Sequence, residues 1–588
     1  MSPAPIRYRV AMPEPASHEF HVTMDIPPLP ERQSLDIVFP VWAPGSYMVR
    51  DFSRHVYELA ATAGGRSLAL ERLDKARWRL QTGGRAATVR YRVFAFEQSV
   101  RTSVLDDSHA FWNGTSLFFL VDGETARPCL LEVEPAPGWR ISTALPALRG
   151  RPHAFRAADY DELVDSPVEI GTHALFAFRA GGARFQVAWQ GESNVDRSRM
   201  LATLRRIVEA TGAMFGGFPF DRYLFIVHAL PARGGGLEHA RSCALDIAGF
   251  SFEDEKGYQS FAELAAHEFF HVWNVKRIHD RCLGPFDYAK ENYTRLLWFH
   301  EGFTEYMQGH ILLRAGLLAT ERYLKDLAED WTRYRARPGR NVTPLSELSY
   351  EAWIKQYKPA ENHQNRMVSY YDKGRWAALV LDLLLRQATR GRRGLPELFA
   401  RLWRRVAARG RPVDAAIIRR EAEALAGRSL SSYFGRYIDG TAELPVPDLL
   451  RTAGIEVEAA APGDANDPVR AKRLQSWCGL VFAGNGEGER ATLKNVVPNS
   501  PAWRAGLTYN DEVVAVDGIR VGSSTVAKRL ADHAPGQSAS LAFFRKDRLR
   551  EATLRMRRSP ERRWSFALDP EAPDAARTLR RHWLGARD

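Results

Sequence analysis

Residues 262–280 read AELAAHEFFHVWNVKRIHD, and this stretch constrains the fold more than any other in the chain. Its apolar residues recur at helical spacing. Within the helix, His267-Glu268-Phe269-Phe270-His271 has the form HExxH. Residues i and i+4 share a helix face, so His267 and His271 can aim two imidazoles at one ion, with Glu268 beside them in reach of a water. The chain carries 16 histidines, and the bare pattern also arises by chance on an ordinary helix. A catalytic zinc site needs three protein ligands and one open position, so a third ligand must come from another element.

A histidine in the metzincin arrangement HExxHxxGxxH would need Gly at 274 and His at 277. The chain has Asn274 and Arg277, and that class fails. His279 lies too near the same helix to turn back easily. The next long apolar helix, LLWFHEGFTEYM at 296–307, is the better source. Glu301 and Glu305 are again i and i+4. Glu301 can bind the metal, and Glu305 can accept the remaining N–H of His267 or His271. His300 is a weaker rival, pointing about 100° away from Glu301. Two acids on one face of an apolar helix need an explanation, and a metal supplies one; exposed solubilising acids are the alternative.

With 588 residues the chain is long enough for several domains. Residues 1 to about 180 read as β-rich, in runs such as HEFHVTMDI and ATVRYRVFAF with Pro and Gly between them. From about 198 to 450 helical spacing dominates, with one strand, RYLFIVHAL at 222–230, before a glycine-rich turn. AAAPGDANDPVRA at 459–471 reads as a linker. Short strands follow, then a C-terminal amphipathic helix or tail. Cys129, Cys243, Cys282 and Cys478 have no paired spacing, which argues against a disulfide framework or a Cys-ligated metal. No signal-peptide core or membrane-spanning run is seen, so the expected location is cytoplasmic, with no membrane partner. The net charge of +12 gathers in arginine-rich stretches such as RQATRGRRG and RLWRRVAARGR. These read as solvated helix faces, and no nucleic-acid partner is expected.

Taken together, HEFFHVWNV and WFHEGFTEY resemble the gluzincin metallopeptidases, and the aminopeptidase N-like enzymes in particular. RGGGLEHA at 233–240 resembles their G-x-M-E-N segment, with Leu237 for Met and His239 for Asn. SYYDKGRWAALVLDLLL at 369–385 resembles their Y-x-K-G segment. With PGSYMVRDFSRHV and FWNGTSLFF near the N-terminus, the chain resembles the PDZ-containing glycyl aminopeptidases. VVPNSPAWRAGLTYNDEVVAVDGIRV at 496–521 resembles a bacterial PDZ segment.

The resemblance implies a multidomain α+β chain. Its parts would be an N-terminal β-sandwich over 1–185, a thermolysin-like, mostly helical catalytic domain over 186–458, a PDZ domain over 459–560 and a tail or helix over 561–588. It implies one Zn2+ per chain on His267, His271 and Glu301, with Glu305 behind them and Glu268 as general base. Tyr371 would donate to the tetrahedral oxyanion. Glu238 would pair with the free α-ammonium of a peptide substrate, and Gly234, Gly235 and Gly236 would run along it, with His239 lining the first pocket. Gly479, Leu480, Val481 and Phe482 would form the PDZ carboxylate loop, a place for a peptide C-terminus. The implied activity is release of small N-terminal residues, glycine or alanine. The competing readings are a zinc endopeptidase and a PDZ scaffold with an inactive peptidase domain.

Overall fold

The computed structural model describes residues 3–232, 234–462, 475–483 and 490–585. Most of the expected linker at 459–471 lies outside these residues. The chain divides into two compact units. One holds residues 1–296, 304–318 and 395–422; the other holds 297–303, 319–394 and 423–588.

The first unit begins with β-structure. Glu19–Ile26 alternates partly exposed and buried residues, with Phe20, Val22, Met24 and Ile26 turned into the core. Such a strand must lie on a sheet with one covered face. It sits inside an eight-stranded sheet, between Ile6–Ala11 and Ala87–Phe94. Two four-stranded sheets accompany it, and the buried faces form one apolar core that includes Trp112, Phe118 and Phe119.

A five-stranded sheet follows, in the spatial order Ala174–Ala180, Ala183–Gln190, Arg222–Leu230, Ser242–Ala248, Gly235–Glu238. Ala183–Gln190 runs through the boundary expected at 185/186. Arg222–Leu230 lies parallel to both neighbours and is buried over most of its length. Gly235–Glu238 closes the edge antiparallel to Ser242–Ala248.

Two helices pack here. Arg197–Phe215 starts on the Asp196 side chain and ends at left-handed Gly216. Glu255–Phe270, the HExxH helix, starts on the Asp254 side chain, which accepts from Gly257 N–H. Phe269 packs against Tyr223 at 5.1 Å between ring centroids, and Trp273 stacks on Phe215 at 4.2 Å. The helix closes at Phe270, earlier than its apolar spacing suggests. Beyond it the backbone runs on in irregular turns, where Asn274 N–H still reaches the Phe270 carbonyl at 3.2 Å and Lys276 N–H reaches back five residues to His271, while the Asn274 carbonyl lies 2.5 Å from His271 Nδ1. His271 keeps helical dihedrals as the cap residue, so its i+4 relation to His267 survives.

In the second unit the long helix Tyr370–Ala388 is buried along most of its length. Arg386 departs from the expected solvated arginine face. It is 2% exposed, pairs with Asp382 at 3.0 Å and donates to the carbonyls of Gly391 and His582. A PDZ sheet follows in the order Leu480–Phe482, Ala491–Val496, Glu512–Val516, Ser538–Arg545, Arg548–Arg555. Ile455–Ala460 pairs antiparallel with Arg563–Leu568. The first of these strands runs through the expected 458/459 boundary, and the second lies in the segment read as tail. Asp574–Leu584 is a helix.

Candidate active site

His267 and His271 stand one helical turn apart, their ring centroids separated by 4.8 Å. Each Nδ1 is engaged from behind. That of His267 meets Gln308 Oε1 at 3.0 Å and Glu305 Oε2 at 3.3 Å. That of His271 meets the Asn274 carbonyl. Nε2 of each ring is then the nitrogen that can coordinate, and the partners at Nδ1 fix tautomer and orientation. Glu305 and Gln308 sit on Phe303–Arg314, which continues the wide π turn Trp298–Gly302. Glu301, one turn before Glu305, belongs to the same face. His267, His271 and Glu301 each offer one ligand atom, all within 4.8 Å of one another. Two imidazoles and a carboxylate with a further position open are a donor set that fits zinc.

Glu238, Glu268 and His271 form a second convergence, again one atom each within 4.8 Å, and all three are buried. The edge strand brings Glu238 and Gly236 over the HExxH helix. A Cβ on Gly236 would stand 2.2 Å from Glu268 Oε1. Gly45 contacts the Glu238 carboxylate in the same way, its Cβ position 2.7 Å from both oxygens. Beneath the strand, Gly235 pairs in register with Asp246. Asp246 accepts from His228 Nδ1 at 2.8 Å, His228 Nε2 meets Glu169 at 3.1 Å, and Glu169 meets His109 at 3.1 Å. Burial alone would push Glu169 up and His228 down. The hydrogen bonds between them and their neighbours win, holding Glu169 at about 2 and His228 at about 9.

Tyr371 opens the helix Tyr370–Ala388, capped by Ser369, whose hydroxyl accepts from the Tyr371 N–H at 3.1 Å. Burial first, then the charge of Glu301, push its phenol well above the usual value. The helices bearing Glu301 and Tyr371 meet through two glycines. A Cβ on Gly302 would stand 2.5 Å from the Gly374 Cα, and one on Gly374 would stand 2.8 Å from the Gly302 Cα.

Family comparisons bear on this arrangement. Residues 7–172 match the Peptidase M61 N-terminal domain, 260–376 the M61 glycyl aminopeptidase and 455–556 a PDZ domain. The solved structure of an aminopeptidase N family protein from Idiomarina loihiensis is 30% identical, with a TM-score of 0.89, covering 98% of this chain and 100% of that one. The chain belongs to the M61 glycyl aminopeptidase family. It is a metallo-aminopeptidase with a PDZ domain. A Deinococcus radiodurans M1 zinc metallopeptidase is 14% identical, with a TM-score of 0.49, covering 76% of this chain and 96% of that one. A comparison with curated protein sequences gives no match. No helix among the described residues is long and apolar enough to cross a membrane.

In this aminopeptidase the remaining sequence-derived residues fall in two places. Gly234 and His239 flank the edge strand. Gly479, Leu480, Val481 and Phe482 lie at the PDZ sheet edge, with Gly479 at a φ of 81° against Ser500. His239 Nδ1 meets Asp165 at 3.0 Å, and Asp165 also takes Lys276 Nζ at 2.7 Å. Burial opposes ionisation of Asp165, but Lys276 and His239 hold it at about 2. A cavity of about 400 Å³ opens beside them, lined in part by Gly45, Tyr47, Glu238, His239, Lys276 and Tyr288. Sequence reasoning missed Gln308, Asp165, Lys276 and Gly45. For Gln308 a signal existed, since it lies seven residues after Glu301 on one helix face. The other three meet their partners only through tertiary folding.

Proposed function

We propose that the enzyme removes one residue at a time from the free N-terminus of peptides, with Glu268 as general base, zinc as its metal at one ion per chain, and glycine or alanine as preferred first residue. The convergence of Glu238, Glu268 and His271 within 4.8 Å carries this reading. An N-terminal ammonium stands two bonds, about 2.5 Å, from the first carbonyl carbon. A carboxylate that holds this ammonium must therefore stand next to the general base, as Glu238 does. An internal amide offers no cation, so Glu238 limits cleavage to the first peptide bond. The preference for a small residue rests on the family, whose model is that of a glycyl aminopeptidase.

His267, His271 and Glu301 would hold the zinc. When bound, zinc supplies Lewis acidity and makes water a nucleophile at neutral pH. Glu268 takes the proton from the attacking water and returns it to the leaving amine. Tyr371 donates a hydrogen bond to the oxyanion as it develops. Gly234, Gly235 and Gly236 let the substrate backbone run along the sheet edge, and Asp165 holds the His239 ring at the cavity wall.

Glycyl and alanyl anilides, each compared with its N-acetylated form, test this reading. Only the free amines should turn over. Glu268→Gln should retain zinc and lose turnover, and Glu238→Ala should lose turnover at unchanged zinc content. Comparable cleavage of the acetylated forms would instead support an endopeptidase. Wild-type protein that binds zinc but hydrolyses nothing would support an inactive scaffold.

The PDZ domain supports a separate binding reading. Among the described residues, strand Leu480–Phe482 pairs on one side only, with Ala491–Val496. Its other edge suits an added peptide strand ending at the loop of Gly479, Leu480, Val481 and Phe482. Fluorescence anisotropy with free and amidated C-termini tests it, and equal binding of the two would rule out carboxylate recognition.

A further inference from the structure

The PDZ domain touches the segment that presents Tyr371. Asn365, in the short helix His363–Arg366, is 6% exposed, and Asn495, in the PDZ strand Ala491–Val496, is 2% exposed. Their side-chain amides exchange hydrogen bonds. Asn365 Nδ2 donates to Asn495 Oδ1 at 2.8 Å, and Asn495 Nδ2 donates to Asn365 Oδ1 at 3.0 Å. The Val496 carbonyl and the Tyr509 hydroxyl each lie 3.0 Å from Asn365 Nδ2. Two buried amides that satisfy each other fix one register, because a slip would strand both sets of donors and acceptors.

The chain between this pair and Tyr371 has little slack. Thr343 Oγ1 donates to the Arg366 carbonyl at 3.0 Å. A Cβ on Gly339 would stand 2.4 Å from the Met367 nitrogen. Met367 and Val368 are buried, and Ser369 caps the helix through the Tyr371 N–H. Tyr371 comes six positions after Asn365. In the PDZ sheet, Asn495 lies opposite Val481 and Val496 opposite Leu480, so the pair sits one strand in from the peptide-accepting edge.

We propose that the Asn365–Asn495 amide pair positions Tyr371, and that the PDZ domain is thereby a working part of the catalytic unit. The inference rests on the assignment of Tyr371 as the oxyanion donor. Neither asparagine touches substrate; both act through the segment that ends at Ser369.

The experiment compares zinc-loaded full-length Asn365→Ala and Asn495→Ala with the wild type on a glycyl anilide, and repeats Asn365→Ala in a Tyr371→Phe background. Each single variant should lose about tenfold in kcat, because small displacements of a catalytic group are costly. KM should stay within about threefold, and zinc content should not change. In the Tyr371→Phe background, Asn365→Ala should cause no further loss, since residues acting as one unit are non-additive. The same fold loss in both backgrounds would overturn the proposal, as would wild-type kcat in either single variant. Wild-type turnover by Tyr371→Phe alone would instead overturn the tyrosine assignment. Should the alanine variants fail to fold, Asn495→Asp keeps the shape and puts an acceptor oxygen where Nδ2 donates to Asn365 Oδ1. It should give a kcat loss that again vanishes with Tyr371→Phe, and a loss that persists there would refute the coupling.

Discussion

Replacing Gly236 by alanine probes the tightest contact in the site. The new Cβ would stand 2.2 Å from Glu268 Oε1, 2.4 Å from its Cδ and 2.5 Å from its Cγ. Comfortable carbon contacts are about 3.5–4.0 Å, so the carboxylate must retreat by about 1 Å or more. Because Cγ is also struck, rotation of the carboxylate alone does not relieve the clash. Misplacing a catalytic group by about 1 Å can cost about 100-fold in rate, equivalent to about 2.7 kcal/mol at about 1.36 kcal/mol per decade. The fold has little reason to object, since Gly236 does not occupy the left-handed region and alanine narrows the unfolded ensemble. Steady-state hydrolysis of a glycyl anilide, zinc analysis and a thermal melt should therefore report kcat down about 100-fold, full zinc and an unchanged or slightly raised Tm. A variant with full zinc and kcat within threefold of wild type would refute the placement of the base under the edge strand.

Three further outcomes are expected. Glu305→Ala with Gln308→Ala removes two side-chain partners of His267 Nδ1 and should weaken zinc about 10- to 100-fold in chelator competition, while zinc affinity equal to wild type would exclude an orienting role. Gly374→Ala places a Cβ 2.8 Å from the Gly302 Cα and should lower stability by about 1–3 kcal/mol in urea titration together with kcat; loss of neither would contradict the close helix crossing. The Glu169–His228 network should give a stability plateau with two falling limbs. Glu169, lowered from 4.5 to about 2, stabilises fully above 4.5 and less as pH falls toward 2; His228, raised from 6.5 to about 9, stabilises fully below 6.5 and less as pH rises through 9. Urea midpoints against pH should flatten on both limbs in Glu169→Gln, and unchanged limbs would mean the network does not couple to folding.

The parts of this protein that were legible in its sequence are those governed by local periodicity. HExxH and the pair Glu301 and Glu305 were readable because a helix fixes which residues share a face. The end of the HExxH helix was not. Val272, Trp273 and Val275 continue its apolar spacing and are buried, yet the regular helix ends at Phe270 and the backbone bonds beyond it mix four- and five-residue spans. Asp165 reaches His239 across 74 positions and Asn365 reaches Asn495 across 130, and nothing local marks either pair. The strand Ile455–Ala460 overlaps the expected linker at 459–471, and its partner, Arg563–Leu568, follows only after the whole PDZ sheet. Arg386 belongs to a stretch that reads as solvated, and its burial depends on the distant C-terminal helix, whose His582 carbonyl it meets.

The motif glycines explain why separate motifs work as one set. Gly236 leaves room for Glu268 of the HExxH helix, Gly45 leaves room for the Glu238 carboxylate, and Gly302 and Gly374 let the helices of Glu301 and Tyr371 touch backbone to backbone. In each case one motif omits a Cβ where another places a charged or reacting group, or the backbone that carries one. A side chain at any of these positions cannot be accommodated by its own motif, because the atoms it meets belong to the next. The distance from Glu268, the proposed base, to Glu238, the proposed ammonium anchor, and the approach of the Tyr371 helix to the Glu301 helix are therefore set between motifs. A substitution in the PGSYM loop at Gly45, besides straining a φ of 84°, should be felt at Leu237 and Glu238, 2.6 and 2.7 Å from its Cβ, although they are far away in the chain. Matching any one motif to a pattern is for this reason weaker evidence of an intact site than finding all four glycines in place.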